Sequence, residues 1–233
     1  MNYLTFANRN TLEFGINISG EGTFSAPERN IKTQEVPGKN GNLIFDMGNF
    51  KNISIQYPAF IKEGMPSRIK DFLNFAGSQI GYQRLEDTYH PYEFRIARFK
   101  TNPSIKTFGY MNMSGEFTLD FDCKPQRFLK SGEEPITLTE DGVLYNRTLF
   151  NSKPFIRVFG TSGSLGIGSE TITISSIDEY VDIDCEIMDA FKGIVNCNNN
   201  VSFTNDIVLA PGNNNISMTG ISRIEITPRW YLI

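Results

Sequence analysis

The sequence predicts a mainly β protein of two β-sandwich-type domains, the first of which contains a single short α-helix. Phe, Ile, Asn and Thr are plentiful, and this balance favours strands and turns over helices. Most apolar segments alternate with polar residues at the period of a half-buried strand, and one segment has helical spacing instead. A chain of 233 residues with 39% hydrophobic content is long enough for one large domain or two ordinary ones.

The first strands surround a strong turn signal. Residues 12–24 predict weak early strands. Val36-Pro37-Gly38-Lys39-Asn40-Gly41 predicts a turn, because Pro presets φ at one position and Gly can supply a positive φ at the next. A short strand at 43–45 follows, and the alternation of Ile53, Ile55 and Tyr57 with polar residues predicts a half-buried strand.

Helical spacing occurs over residues 67–76. The apolar residues there lie on one face of an α-helix: Ile69, Phe72, Leu73 and Ala76. Pro66 or Ser67 can begin this helix, and Gly77 is predicted to end it. A helix of about ten residues is too short to be stable alone, so we expect it to pack on a sheet.

Strand alternation resumes after the helix. Over 92–97 it predicts one apolar face, made by Tyr92, Phe94 and Ile96. It is most regular over 116–123, where Phe117, Leu119, Phe121 and Cys123 share one face and Glu116, Thr118, Asp120 and Asp122 the other. This pattern is typical of an antiparallel sheet with one solvated face.

The polar segment 129–135 contains Gly and Pro and is predicted to link an N-terminal domain at 1–128 to a C-terminal domain at 136–233. Turns between short strands predict a β-sandwich in the second domain. Its predicted strands are 155–159, 164–167, 171–175, 180–187, 201–203, 216–218 and 224–226.

The chain ends in an apolar segment that contains the only tryptophan, Trp230. Burying one large apolar side chain is worth roughly 1.5–3 kcal/mol, so leaving Ile224, Ile226, Trp230, Leu232 and Ile233 in water would be costly. We therefore expect a docked closing strand and a buried, structural Trp230. This last strand is a candidate to return toward the N-terminal domain.

Charge and composition exclude several classes of function. The formal net charge is −4 and no basic run occurs, which argues against specific nucleic-acid binding. No apolar run approaches the ~20 residues of a membrane span, so no membrane insertion is expected. The three cysteines, Cys123, Cys185 and Cys197, are odd in number and widely spaced, which favours free thiols and assembly in a reducing cytoplasm.

Two motifs could carry chemistry, and each has a simpler structural interpretation. The glycine-rich stretch 160–168 follows a strand, but a second strand rather than a helix comes next, so bends and a hairpin turn near Gly168 are favoured over a phosphate-binding loop. His90, the sole histidine, lies in a loop without metal-like spacing to any cysteine, which favours a structural role.

Acidic residues cluster at Asp120 and Asp122 and again over 178–186. A glycosidase would use two such carboxylates. However, Asp182, Asp184 and Glu186 alternate with apolar residues, which predicts the solvated face of a strand. We therefore predict no catalytic residue, no metal site and no cofactor.

The order of several motifs resembles the distal tail protein (Dit) family of siphophages. The strongest is the tail, Ala210-Pro211-Gly212-Asn213-Asn214-Asn215-Ile216 followed by Ile224-Glu225-Ile226-Thr227-Pro228-Arg229-Trp230. The segments 155–160, 171–174 and 180–186 are similar to the family's sandwich strands. The turn 36–41, the helix at 67–76, the strand at 92–99 and Phe121-Asp122-Cys123-Lys124-Pro125 follow the same order, so the resemblance covers nearly the whole chain.

The resemblance implies a structural protein rather than an enzyme. Such proteins form a homo-hexameric ring at the distal end of a long non-contractile tail. The N-terminal domains make the ring, and galectin-like C-terminal sandwiches point outward. The ring joins the tail tube protein to the tail-associated lysin or tail-tip hub protein, with receptor-binding proteins as further partners, and it leaves a channel for DNA.

The resemblance also implies roles for particular residues. The turn residues Val36, Pro37, Gly38, Lys39 and Gly41 are candidates for the ring interface. The C-terminal motif is expected to be structural: Pro211, Gly212, Asn213, Pro228, Arg229 and Trp230. The expected location is the virion, at the distal end of the tail, after assembly in the bacterial cytoplasm.

A carbohydrate-binding, lectin-like sandwich is the alternative function, because the outer domain is predicted to be galectin-like. A lectin site would need an exposed aromatic platform with convergent polar groups. The one tryptophan lies in the predicted closing strand instead. The chain also has no inter-strand stretch long enough for the carbohydrate-binding module that some relatives carry.

Overall fold

A computed structural model describes residues 1–100, 105–108, 113–203 and 205–233. The chain divides into two compact units, the first comprising 1–127 with Ile233 and the second 128–232. Both units are built from antiparallel strands, and the predicted mainly β fold with a single α-helix is confirmed for the described residues.

Unit 1 has a main sheet in the order β2-β1-β8-β9-β11-β7-β3, with β10 paired to β11 and β4 to β7, and a separate two-stranded sheet of β5 and β6. A 3-10 helix covers Thr11–Phe14. The strands are β1 (Leu4–Phe6), β2 (Arg9–Asn10), β3 (Ile16–Ile18), β4 (Thr23–Phe24), β5 (Arg29–Glu35), β6 (Asn42–Phe50), β7 (Ile53–Ile61), β8 (Gln83–Asp87), β9 (Glu93–Lys100), β10 (Ile105–Phe108) and β11 (Ser114–Leu129).

The core of unit 1 follows the alternation of its central strands. Phe117, Leu119, Phe121 and Cys123 of β11 are all buried, as predicted. Phe121 packs against Phe6, Tyr57 and Phe99 at ring-centroid distances of 5.2, 6.1 and 5.4 Å. On β9 the predicted face is only partly correct: Phe94 is buried, but Ile96 is half-buried and Tyr92 is exposed. The residues of β9 that pack on the core are Ala97, which is fully buried, and Phe99.

The predicted helix is present as α1 (Met65–Ser78), and it packs on the core of unit 1. Ile69, Phe72 and Ala76 are buried and Leu73 is partly buried, so the predicted helix phase is correct. The predicted ends are wrong. Gly64, at φ 67°, caps the start, and the helix continues through Gly77 to Ser78 because this glycine does not adopt a positive φ.

Unit 2 has a sheet in the order β12-β20-β14-β16-β17-β18, to which β13, β15 and β19 add further pairings. Two 3-10 helices cover Lys130–Gly132 and Asn198–Asn200. The strands are β12 (Ile136–Leu138), β13 (Gly142–Asn146), β14 (Phe155–Ile167), β15 (Glu170–Ile174), β16 (Tyr180–Asp184), β17 (Asp189–Lys192), β18 (Val195–Asn196), β19 (Val201–Phe203), β20 (Gly212–Thr227) and β21 (Tyr231–Leu232).

The central strands β14 and β20 are longer than the sequence predicted. Each replaces two predicted short strands with one strand that continues through an irregular register. The predicted hairpin turn at Gly168, φ 61°, joins β14 to β15. The core of unit 2 lies on one face of this sheet and includes Ile156, Val158, Ile183, Ile224 and Ile226.

Candidate assembly site and C-terminal motif

The predicted turn 36–41 joins β5 to β6 and forms the tip of a two-stranded hairpin. The N–H of Lys39 donates to the carbonyl of Val36 at 3.1 Å, which closes a turn with Pro37 and Gly38 at its centre. Gly38 has φ 77°, a conformation that glycine adopts at no steric cost. All of the predicted turn residues are therefore at the tip, where Pro37, Gly38, Lys39 and Gly41 are exposed and Val36 is half-buried.

The hairpin exposes a stripe of large apolar side chains. Leu43, Phe45 and Met47 alternate along β6, so they share one face, and they are 42%, 51% and 51% exposed. Ile31 and Ile44 are exposed on the other face. We call Leu43, Phe45 and Met47 the β6 stripe. The strand predicted at 43–45 did not include this exposed stripe, although apolar residues at every second position after the turn are a signal for it.

Polar contacts define the hairpin near its base. Arg29 pairs with Asp46 at 2.9 Å, and its guanidinium lies 4.9 Å from the ring centroid of Phe50. In the described part of the chain, β5 and β6 pair only with each other. A two-stranded hairpin is marginally stable alone, and its exposed edges can pair with another chain. The β6 stripe can therefore be buried by a partner without any rearrangement of the core.

The predicted motif Pro211-Gly212-Asn213 lies where β20 begins, but the key side chain there is Asn214. Asn213 and Pro211 are exposed, and Gly212 has φ 87°. The buried Asn214 amide donates to the carbonyls of Ala210 at 2.8 Å, Gly212 at 3.1 Å and Leu144 at 3.3 Å. Its oxygen accepts from the Ala210 N–H at 2.8 Å. Asn214 thus supplies hydrogen-bond partners to the backbone groups of the turn. The sequence did not show which of the three consecutive Asn residues has this role.

Arg229 of the predicted motif forms a bidentate ion pair with Asp184 at 2.7 and 2.9 Å. Burial opposes ionisation of Asp184, but hydrogen bonds from Arg229 and from the N–H groups of Glu186 and Ile187 outweigh it and lower the pKa of this carboxyl. Arg229 has φ 56°, which is unusual outside glycine, and its N–H donates to the Gly132 carbonyl at 2.8 Å. These contacts hold Arg229 in its strained backbone conformation.

Trp230 follows Arg229, and a hydrogen bond to its own backbone holds it in place. Its carbonyl accepts from the Leu129 N–H at 2.9 Å, and a side chain at position 132 would clash with its nitrogen, which explains Gly132. The indole is half-buried against the core of unit 2, less than the full burial we expected, whereas Pro228 is buried. Tyr231 stacks on Phe150 at 5.6 Å between ring centroids.

The prediction that Asp182 lies on a solvated strand face is wrong. Asp182 does not lie on a solvated face, because it is only 4% exposed and holds Arg157 through two hydrogen bonds of 2.7 and 2.9 Å. The Arg157 guanidinium also lies 4.5 Å from the ring centroid of Tyr180. Arg157 is directly opposite Asp182 in the pairing of β14 with β16, so its charge balances that of Asp182 and the two residues form a structural ion pair.

His90 lies between two carboxylates, with Nδ1 3.0 Å from Asp87 and Nε2 3.0 Å from Glu21. Asp87 also accepts from the Tyr57 hydroxyl at 2.9 Å. Burial, followed by the nearby Asp87 carboxylate, raises the pKa of Tyr57. This network connects three segments of unit 1.

The buried cysteines are poor nucleophiles. Burial raises the pKa of both Cys123 and Cys185 to about 12, so their thiols remain protonated at neutral pH. Cys123, Cys185 and Cys197 are free thiols. Within the described ranges no cluster of His, Cys, Asp and Glu has the arrangement of a metal site, and no helix is long and apolar enough to cross a membrane.

Comparison with known proteins depends on structure, since no family model and no curated protein sequence matches this chain. The chain superimposes on the crystal structure of the Dit protein of phage SPP1 with a TM-score of 0.69 at 15% identity, and the match covers 100% of both chains. The fold is that of a phage distal tail protein. A second match is a chain in the baseplate of phage P2 in its activated, Ca-containing conformation, with a TM-score of 0.53, 10% identity and 97% coverage of both chains.

These matches confirm the predicted resemblance at the level of the fold. The SPP1 Dit protein is described as a paradigm of the hub adsorption apparatus of phages that infect Gram-positive bacteria. The match extends through both units, as the collinear motifs predicted. The galectin-like character of unit 2 stays a prediction.

Proposed function

We propose that this chain is a structural protein at the distal end of a long non-contractile phage tail, where copies of it form a hexameric ring. The β6 stripe carries the proposal. Leu43, Phe45 and Met47 are large apolar residues on an exposed hairpin of a chain that has the distal tail protein fold over its whole length. Contiguous exposed apolar surface of this kind marks an interaction site.

The occupant of this surface is a neighbouring copy of the chain. A closed ring requires a heterologous interface, in which a surface on one copy contacts a different surface on the next. A protruding hairpin with unpaired edges meets that requirement, since it can add strands or apolar contacts to a sheet that lacks them. The turn residues Val36, Pro37, Gly38, Lys39 and Gly41 belong to this ring interface in the proposal.

The ring joins the tail tube protein to the tail-associated lysin or tail-tip hub protein, and it offers attachment to receptor-binding proteins. The central channel passes DNA, and a net charge of −4 suits a channel that should not retain it. The virion tail is the location, and the role requires no catalysis. Asp182, Asp184 and His90 serve as partners in polar networks of the two units.

The oligomeric state tests the proposal. Size-exclusion chromatography with light scattering and negative-stain imaging of the full chain should show a six-subunit ring with contacts of about 800 Å² per partner. The double variant Leu43→Asp, Phe45→Asp should yield folded monomers. As a matched control, Ile187→Asp changes an exposed isoleucine of unit 2 and should leave the ring intact. A wild-type protein that stays monomeric at assembly concentrations would refute the proposal.

A further inference from the structure

The pairing between β14 and β20 breaks in the middle of unit 2. Gly160 pairs with Ile221 and Ser164 with Thr219, so the segment 161–163 stands opposite Gly220 alone. Gly163 has φ 159° and Gly220 φ 74°, and a side chain at either position would clash with the carbonyl of the facing strand. Bulges of this kind interrupt the ladder and commonly occur next to functional sites.

An open groove of about 770 Å³ lies at this break. Its floor includes Gly160 and Gly220, which present backbone without side chains. Hydroxyl groups of Thr139, Thr161 and Ser222 line it, and all three residues are exposed. The Ser222 hydroxyl donates to the Phe159 carbonyl at 3.0 Å, which orients its oxygen as an acceptor for a ligand.

Charged groups flank the groove on both sides of β14. Phe159 pairs with Arg223 of β20 and with Tyr180 of β16, so Glu179, which precedes Tyr180, lies on the side away from Arg223. The Arg223 guanidinium is 3.9 Å from the Phe159 ring centroid and pairs with Glu225 at 3.3 Å. Glu179 pairs with Lys192 at 3.1 Å. The lining therefore has no net excess of either charge.

We propose that this groove binds a neutral polyhydroxylated chain, such as an internal segment of an oligosaccharide. Hydroxyl, guanidinium and carboxylate groups together can donate to and accept from vicinal hydroxyls. Phe159 adds a half-buried aromatic side chain to the lining, beneath the Arg223 guanidinium. Paired charges of both signs disfavour a polyanion, which would meet Glu179 in the lining and would compete with Glu225 for Arg223. An open groove suits a chain that passes through it better than a small enclosed ligand.

The inference goes beyond the ring and does not depend on it. The groove belongs to unit 2, whereas the β6 stripe belongs to unit 1. It also differs from the predicted lectin alternative in its aromatic group, because Phe159 and not Trp230 lines the groove. Sequence reasoning missed the site, since the glycines of 160–168 mark a register break that only strand pairing reveals.

Calorimetric titration of the full-length protein tests the site with four neutral probes: maltohexaose, cellohexaose, chitohexaose and a linear galactohexaose. At least one should bind at millimolar or lower concentration. Thr161→Phe should fill the groove and abolish binding. Ser222→Ala and Arg223→Gln should each weaken it about tenfold, the effect of one lost hydrogen bond. Tyr145→Ala, an exposed aromatic of unit 2 outside the groove lining, should bind as the wild type does.

Three outcomes would overturn the site. They are no binding by any of the four probes, unchanged binding by Thr161→Phe and Ser222→Ala, and preferential binding of poly(glycerol phosphate) tested in parallel. Melting temperature and light scattering of each variant separate loss of binding from loss of the fold or of the ring. A ring without saccharide binding would refute this inference alone, and saccharide binding by a monomer would refute the proposed function alone.

Discussion

Strands β6 and β11 each have three large apolar residues at every second position, but these residues are in opposite environments. Phe117, Leu119 and Phe121 of β11 are buried under α1 and the neighbouring strands. Leu43, Phe45 and Met47 of β6 have equally large side chains and the same spacing, yet each is more than two-fifths exposed. The period of a strand therefore shows that it has an apolar face, but not whether the same chain supplies the residues that cover it.

The largest expected effect contrasts one phenylalanine from each strand. Phe121→Ala should lower the free energy of unfolding by about 3–5 kcal/mol, because it empties a site among Phe6, Tyr57 and Phe99. Phe45→Ala should change it by no more than about 0.5 kcal/mol in the dissociated chain. Urea denaturation below the assembly concentration measures both. Similar losses in the two variants would show that the hairpin is covered within its own chain.

Trp230 provides an intermediate case that sharpens the comparison. Because its indole is half-buried, Trp230→Ala should cost about 1.5–3 kcal/mol, below the range for a fully buried aromatic. Tryptophan fluorescence is a direct measurement, since this is the only indole. Emission should be blue-shifted and partly protected from acrylamide in the folded protein. Emission as red-shifted and as readily quenched as in urea would contradict the docked tail.

The smallest expected effect concerns the Arg229–Asp184 pair, where charge replaces apolar burial. Asp184→Asn should cost about 1 kcal/mol at neutral pH, since both side chains are partly exposed and solvent screens them. The folded state lowers the pKa of Asp184, so the stabilisation is complete above the usual value of 3.8 and is lost as pH falls through the lower folded value.

The unfolding free energies of wild type and Asp184→Asn should accordingly differ by a constant amount between about pH 5 and 8. The difference should begin to shrink below about pH 3.8 and should vanish below the folded-state pKa of Asp184. Glu134→Gln, at an exposed position, should follow the wild type throughout. A difference that grows toward acid pH would show that the pKa of Asp184 is raised rather than lowered.

How much of the fold and of the sites could be predicted depends on whether the signal lies within one segment of the chain. The face of β11 and the phase of α1 were predictable, because several large apolar residues repeat at one period. Ile96 was assigned to the core incorrectly. Phe94 and Phe99 point to opposite faces of the same strand, so alternation alone cannot show which face is buried. Asp182 was assigned to solvent because its guanidinium partner, Arg157, comes from another strand.

By itself, the sequence determined the mainly β class, the position of the single helix among the described residues and the turn at Val36–Gly41, because these depend on side-chain period and on local φ preferences. Only the tertiary structure decided that the β6 stripe is exposed, that Asn214 supports the turn before β20 and that Gly163 faces Gly220 at a register break. The reason is physical: burial, charge pairing and register are set by residues far apart in the chain, which meet only when the strands pair.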